Sequence, residues 1–99
     1  MTYKVEFHTK AMQELKNLDG SFKLMVLKQI KKIMNNPEIG QLLGNKAGLD
    51  LTGYRKIYVN KKKIRIVYKL IENQLIIYII SIGTRDKGNV YEEANKRII

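Results

Sequence analysis

Three strand-like segments follow one another in the second half of the chain, and only very short turns separate them. They are residues 53–59, 64–71 and 74–82. Each is rich in β-branched and aromatic residues, which favour strands. Connections this short join only antiparallel neighbours, because a parallel crossover needs a dozen or more residues. The third segment is apolar on both faces, so we expect it to lie centrally in the sheet with both faces covered.

The first half of the chain has the patterns of one strand and two helices. Residues 3–7 alternate apolar and charged side chains, which predicts a half-buried strand. Helical spacing then predicts a first helix capped by Thr9 and a second capped by Ser21. Asn36-Pro37 ends the second helix, because the residue before a proline disfavours the α conformation. Two helices joined this closely should form an antiparallel hairpin.

The remaining segments complete the predicted fold. Residues 38–50 contain three glycines and are predicted to form a loop. A last helix begins near Asp86 or Asn89, with Val90, Tyr91, Ala94 and Ile98 on its buried side. The predicted element order is β-α-α-β-β-β-α. We therefore expect an α+β fold with a small, antiparallel-type four-stranded sheet, backed by the N-terminal helical hairpin and completed by a C-terminal helix.

Composition limits the class of protein further. The 99 residues correspond to a single domain, residues 1–99. The chain has no cysteine and one histidine, so a disulfide and a multi-histidine metal site are excluded, and we expect no metal and no cofactor. The N-terminus lacks the long apolar stretch of a signal peptide, and the longest apolar run, residues 75–80, is too short to span a membrane. These features predict a cytoplasmic protein without membrane contact.

Positive charge is concentrated in one segment. The formal net charge is +10, and residues 51–71 contain seven cations and no acid. The cations are Arg55, Lys56, Lys61, Lys62, Lys63, Arg65 and Lys69. Tyr54, Tyr58 and Tyr68 are interleaved with them. Cations among aromatic rings suit a polyanion with exposed bases, so nucleic acid is the first partner to consider.

Strand register predicts where these side chains lie. With a turn at 60–63, Tyr58 is opposite Arg65 and Ile57 is opposite Ile66, and paired residues share a face. One face then holds Ile57, Val59, Ile64, Ile66, Tyr68 and Leu70, and the other holds Lys56, Tyr58, Arg65 and Lys69. A slip of one residue would bury Arg65, so the register is well specified. Tyr78 joins the polar face, and Arg85 follows the last strand, so Lys56, Arg65 and Arg85 should converge.

The chain resembles the RelE branch of the RelE/ParE toxin superfamily of bacterial type II toxin–antitoxin systems. The resemblance runs from Tyr3 to Ile98. It is carried by Tyr54-Arg55-Lys56-Ile57, Ile64-Arg65-Ile66-Val67-Tyr68, Ile80-Ser81-Ile82-Gly83-Thr84-Arg85, and Val90-Tyr91 followed by Ala94-Asn95-Lys96-Arg97. It implies a RelE-like fold, an mRNA interferase that cuts messenger RNA in the ribosomal A site, and a cognate antitoxin that wraps and blocks the toxin.

The resemblance also implies site residues. The positions that carry activity in the family map to Lys56, Arg65, Arg85 and Tyr91. RNA contacts are expected from Arg55, Tyr58, Lys61, Lys62, Lys63 and Lys69. Active relatives often have a second lysine two positions after the first, where this chain has Tyr58, so the proton acceptor is an open question.

The chemistry needs no metal if cations supply the electrostatic stabilisation. RNA carries its own nucleophile, the 2′-hydroxyl, and arginine suits bidentate phosphate contact. We assign Lys56 as candidate base, Arg65 as phosphate clamp, Arg85 as clamp or acid, and Tyr91 as a base-stacking or proton-relaying group.

Two other functions stay open at the level of sequence. One is a ParE-like poison of DNA gyrase without nuclease activity. The other is a non-catalytic member that binds an antitoxin. The arginines at 65 and 85 together with Tyr91 favour the nuclease.

Overall fold

The computed structural model describes residues 3–46, 48–84 and 90–98 of the chain. Within these residues the strands are β1 (Lys4–Phe7), β2 (Gln41–Lys46), β3 (Leu49–Val59), β4 (Ile64–Ile71) and β5 (Ile76–Thr84). The helices are α1 (Thr9–Lys16), α2 (Gly20–Asn35) and α3 (Val90–Arg97), and short 3-10 helices occupy Pro37–Ile39 and Glu72–Gln74. None of the helices in these ranges is long and apolar enough to cross a membrane.

The strands form one mixed sheet in the order β1-β5-β4-β3-β2. Strand β1 pairs with β5 in parallel, and the other neighbours are antiparallel. Strand β5 is therefore flanked on both sides, as its uninterrupted apolar sequence predicts. The predicted α+β class, with two N-terminal helices and one C-terminal helix, is confirmed.

Each face of the sheet carries its own apolar core. The first lies under α1 and α2 and includes Ala11, Leu15, Val26, Ile30, Ile33, Ile64, Ile66, Tyr68, Ile77 and Ile79. The second lies under α3 and consists of Leu51, Tyr54, Val67, Ile80, Val90 and Ala94. We call the second side of the sheet the α3 face. Burial on both faces removes the central strands from water, which is the main favourable contribution to folding.

The register predicted for β3 and β4 is confirmed. Tyr58 pairs with Arg65, and Ile57 pairs with Ile66. Strand β5 departs from simple alternation, because Val67 pairs with Ser81 whereas the adjacent Tyr68 pairs with Ile79. The extra residue is a β-bulge.

The bulge changes which side chains of β5 reach α3. Ile80 belongs to the core of the α3 face, and the adjacent Ser81 also points there, because its hydroxyl donates a 2.9 Å hydrogen bond to the Val90 carbonyl. Ile82 consequently joins the opposite core. Strict alternation would have left Ile82 facing α3.

The predicted loop at 38–50 is wrong, and the sheet has five strands rather than four. Residues 41–46 form the edge strand β2, and β3 begins at Leu49 rather than near residue 53. The pairing of β2 with β3 is irregular between Leu42 and Gly44. Gly44 and Gly48 have φ angles of +63° and +80°, which a turn and a distorted edge require. Glycines that looked like loop residues thus shape an edge hairpin.

Two predicted helix caps are also wrong, since each helix begins earlier than expected. His8 caps α1, and its Nδ1 accepts a 3.1 Å hydrogen bond from the Lys10 amide. Asp19 caps α2, and its carboxylate accepts from the Gly20 amide at 2.9 Å. The negative charge of Asp19 at this position also interacts favourably with the positive end of the helix dipole.

Gly40 lies at a position where no side chain fits. Its amide donates a 2.8 Å hydrogen bond to the Tyr68 hydroxyl, which in turn donates to the Pro37 carbonyl at 2.9 Å. A Cβ on Gly40 would lie 2.5 Å from the Tyr68 oxygen and 2.9 Å from the Lys56 carbonyl oxygen.

We expect Gly40→Ala to lower the free energy of unfolding by about 1–3 kcal/mol, because a buried tyrosine and a strand backbone must move. Urea denaturation checks this. The matched control is Gly20→Ala, at an exposed helical position where a Cβ would meet nothing within 4 Å. Equal midpoints for the two variants would contradict the packing at Gly40.

Candidate functional site

Cations and tyrosines from three elements meet on the α3 face. Lys56 and Tyr58 lie two positions apart on β3 and therefore share a face. Arg65 lies opposite Tyr58 on β4, and Tyr91 comes from α3. The Arg65 guanidinium carbon is 5.5 Å from the centre of the Tyr58 ring and 5.8 Å from that of Tyr91. Both distances are within cation–π range, so the two rings hold the guanidinium from different elements.

Lys56 is buried, with 8% of its surface exposed. Its Nζ donates a 2.9 Å hydrogen bond to the Tyr58 hydroxyl and lies 4.8 Å from the centre of that ring. A buried ammonium needs such partners, because losing its hydration is costly. The hydrogen bond from Lys56, reinforced by the Arg65 guanidinium, lowers the pKa of Tyr58 to about 8.

The second tyrosine of the cluster is shifted in the opposite direction. Burial raises the pKa of Tyr91, although the charges of Lys56 and Arg65 act against that shift. Tyr91 therefore stays protonated at neutral pH, whereas Tyr58 is much closer to ionisation. Two neighbouring titratable groups whose pKa values are pushed apart are a common sign of divided acid and base roles.

Arg65 is held in place without using all its donors. It is half-buried, and its Nε is buried with no hydrogen-bond partner among the described residues. Every ion pair found in that part of the chain involves Glu14 or Glu93, and none involves Arg65. A guanidinium oriented by rings rather than by a carboxylate keeps its charge available for an external anion.

Further cations extend the site along the sheet. Lys61, Lys62 and Lys63 are exposed in the turn between β3 and β4, and the Lys62 Nζ lies 5.6 Å from the centre of the Tyr58 ring. Exposed Lys69 lies on the same face, with its Nζ 5.4 Å from the centre of the Tyr54 ring. Together they form a cationic border around the cluster.

Of the predicted site residues, one points away from the cluster and another lies outside the described residues. Arg55 alternates with Lys56 and points to the other side, where it donates to the Glu38 and Gly40 carbonyls at 3.1 and 2.8 Å. It stabilises the turn before β2, so we do not include it in the RNA-binding set proposed below. Arg85 lies outside the described residues, as do Asp86 and Asn89.

No sequence pattern indicates the connection that the structure shows between α1 and α3. The Glu14 carboxylate accepts hydrogen bonds from Arg97 at 2.8 and 3.0 Å and from the Ile82 amide at 3.1 Å. Arg97, only 6% exposed in its side chain, also donates to the Ile80 carbonyl at 2.8 Å. This link fixes α3, and hence Tyr91, over the sheet. Its two partners lie 83 positions apart, so no local pattern predicts it.

Comparison with solved structures defines the fold class. The chain superimposes on a double arginine-to-alanine mutant of the Escherichia coli toxin RelE. For the free mutant the TM-score is 0.79, with 27% identity and complete coverage of both chains. For the same mutant bound to a peptide of the antitoxin RelB, the TM-score is 0.71, with the same identity and coverage. The fold is thus that of a RelE-type toxin.

Comparison of sequences identifies the family. The model for ParE-like toxins of type II bacterial toxin–antitoxin systems matches residues 5–95. The chain is 33% identical to a RelE-like toxin protein of Escherichia coli, with 99% of both chains covered. It is 28% identical to the mRNA interferase toxin RelE of Escherichia coli strain K12, with complete coverage of both. The chain therefore belongs to the ParE-like toxin family of type II toxin–antitoxin systems.

Proposed function

We propose that this toxin is a metal-independent endoribonuclease that cleaves messenger RNA in the ribosomal A site and so inhibits translation. The observation that carries the proposal is the cluster on the α3 face, where Arg65 is held between two tyrosines beside a buried Lys56. Its relative of strain K12 is named an mRNA interferase, which supports the same activity here. Because translation occurs there, we place the protein in the cytoplasm.

The proposed roles follow from what RNA cleavage requires. The 2′-hydroxyl must lose its proton, the negative charge that builds up around phosphorus must be stabilised, and the 5′-oxygen must be protonated. Arg65 contacts the phosphate, and Arg85 assists as a second clamp or as the acid. Tyr91, kept protonated by burial, stacks on a base or relays a proton. The proton acceptor is Lys56 or its hydrogen-bonded partner Tyr58.

The bordering cations serve binding rather than chemistry. Lys61, Lys62, Lys63 and Lys69 are exposed and surround the cluster. Such lysines contact phosphates as point charges, so their contribution should weaken as salt rises. They also suit ribosomal RNA, which surrounds the A site with phosphate.

A cognate antitoxin is the proposed protein partner. The net charge of +10 and the mixed cationic and apolar character of the α3 face suit an acidic amphipathic segment. We propose that this segment blocks RNA access by covering Arg65 or by displacing α3 with Tyr91. Bound antitoxin should therefore abolish cleavage.

Mapping of RNA 5′ ends tests the proposed activity. Purified toxin should cut a defined messenger RNA within the codon in the A site of stalled ribosomes, and added antitoxin should stop the cutting. Lys31→Ala, at an exposed position on α2, is the matched variant that should cut like the wild type. Intact transcripts together with broken chromosomes after induction would instead indicate a gyrase poison.

A further inference from the structure

Tyr58 occupies the position in this cluster that is best placed to accept a proton. Its hydroxyl receives the Lys56 hydrogen bond at 2.9 Å. The Tyr58 side chain is half-buried on the α3 face, so substrate can approach it. Lys56 is more deeply buried and directs an N–H toward the tyrosine oxygen. Of the two partners, the tyrosine oxygen is therefore the more exposed to an incoming 2′-hydroxyl.

The charged and titratable groups that face Tyr58 come from its own strand, from β4, from the adjoining turn and from α3. Lys56 is on its own strand, Arg65 is on β4, and Lys62 is in the adjoining turn. Their cationic groups lie 4.8, 5.5 and 5.6 Å from the ring centre, in that order. From α3 the facing titratable group is Tyr91, which is protonated at neutral pH. All three charged neighbours favour an anionic oxygen on Tyr58.

We propose that the Tyr58 phenolate is the general base of the reaction and that Lys56 is a positioning residue that remains an ammonium ion. This proposal rests on the proposed ribonuclease function. It explains how Tyr58 can occupy a position where active relatives often have a lysine, because a phenolate stabilised by the surrounding cations can accept a proton as a lysine amine would.

The step balances without any added reagent. The phenolate oxygen takes the proton of the 2′-hydroxyl, and the 2′-oxygen forms a bond to the adjacent phosphorus. The bond from phosphorus to the 5′-oxygen breaks, and its electron pair stays on that oxygen, which takes a proton from water. The products are a 2′,3′-cyclic phosphate and a 5′-hydroxyl. Tyr58 then returns its proton to solvent, so one proton passes from the 2′-oxygen to the 5′-oxygen.

The charge environment makes the base available under physiological conditions. With its pKa lowered to about 8, roughly a tenth of Tyr58 is ionised at pH 7, against roughly a thousandth for an ordinary tyrosine. Since the folded-state value is depressed, the active form grows as pH rises and is largely complete above that value. The cleavage rate should therefore rise through pH 7 and level off above pH 8.

Single-turnover cleavage at saturating ribosomes between pH 6.5 and 9 tests this. We expect the cleavage rate of Tyr58→Phe no longer to rise with pH. Above pH 8 this variant should cleave about 10²–10⁴-fold more slowly than wild type, while its affinity for the ribosome stays within about twofold. Tyr54→Phe is the matched control, because it removes a hydroxyl from the same face of the same strand. It should keep both the rate and the profile.

Lys56→Ala separates the two candidate bases. If Tyr58 is the base, removing the Lys56 ammonium raises the pKa of Tyr58. The increase in cleavage rate with pH then moves to higher pH, and the rate lost at pH 7 is partly regained by pH 9. Replacing Tyr58 by a difluorotyrosine, whose phenol is more acidic, should move the rise in cleavage rate to lower pH.

Three outcomes oppose the proposal or its basis. A Tyr58→Phe variant whose cleavage rate rises with pH as that of the wild type does would overturn the role of Tyr58. A Lys56→Ala variant that is equally inactive at every pH would instead assign the base to Lys56. Wild-type protein that cuts no RNA would overturn the proposed function itself.

Discussion

Arg65→Ala is expected to reduce RNA cleavage at saturating ribosomes about 10²–10³-fold, which is the typical effect of removing one preorganised donor from a developing oxyanion. The free energy of unfolding should change by less than about 1 kcal/mol. Arg65 contacts two tyrosine rings rather than a carboxylate, and its buried Nε has no hydrogen-bond partner among the described residues. Its removal therefore leaves no buried charge or donor unpaired.

Single-turnover rates together with urea denaturation check this result. The cleavage rate of Arg65→Lys should fall between those of wild type and Arg65→Ala, because lysine keeps the positive charge but lacks the planar guanidinium that contacts a phosphate through two hydrogen bonds. Lys31→Ala is the control for loss of a surface cation. Arg65 also helps to lower the pKa of Tyr58, so part of the lost activity should return at high pH. A variant that remains fully active at pH 7 would exclude Arg65 as the phosphate clamp.

Glu14→Gln is expected to release α3 from the sheet. Glu14 is the principal carboxylate partner of Arg97, whereas Glu93 lies 3.6 Å away. Removing one partner of a buried ion pair leaves the other charge uncompensated, which costs about 3–5 kcal/mol. Glu14 is 30% exposed, so we expect the lower end, about 3 kcal/mol. Because α3 carries Tyr91, cleavage should fall as well.

Urea denaturation and amide hydrogen exchange of residues 90–97 measure both parts of this effect. Glu92→Gln, at an exposed position on the same helix, is the matched control and should change stability by less than about 0.5 kcal/mol. The double variant Glu14→Gln with Arg97→Met should recover stability, since no buried charge then remains. Slow exchange of α3 in Glu14→Gln would show that this link does not fix the helix.

The sheet illustrates how far local pattern determines a fold. The pairing of β3 with β4 follows from two-residue alternation and a short turn, because a slip would bury a charged arginine. That register alone places Lys56, Tyr58 and Arg65 on one face. The edge strand β2 had no such pattern, because Gly44 and the exposed Leu42 interrupt the alternation that identifies strands. It forms because β3 offers it a partner.

The sequence by itself thus determined the α+β class, the central register and the cationic segment of the site. Tertiary structure decided how that segment becomes a cluster. The bulge in β5 selects which side chains meet α3, and the pair Glu14–Arg97 holds α3 so that Tyr91 faces Arg65. The ionisation of Tyr58 depends on cations from two strands and on burial. The bulge and the link between Glu14 and Arg97 arise from contacts between residues far apart in the chain, and such contacts leave no periodic trace in any local stretch of sequence.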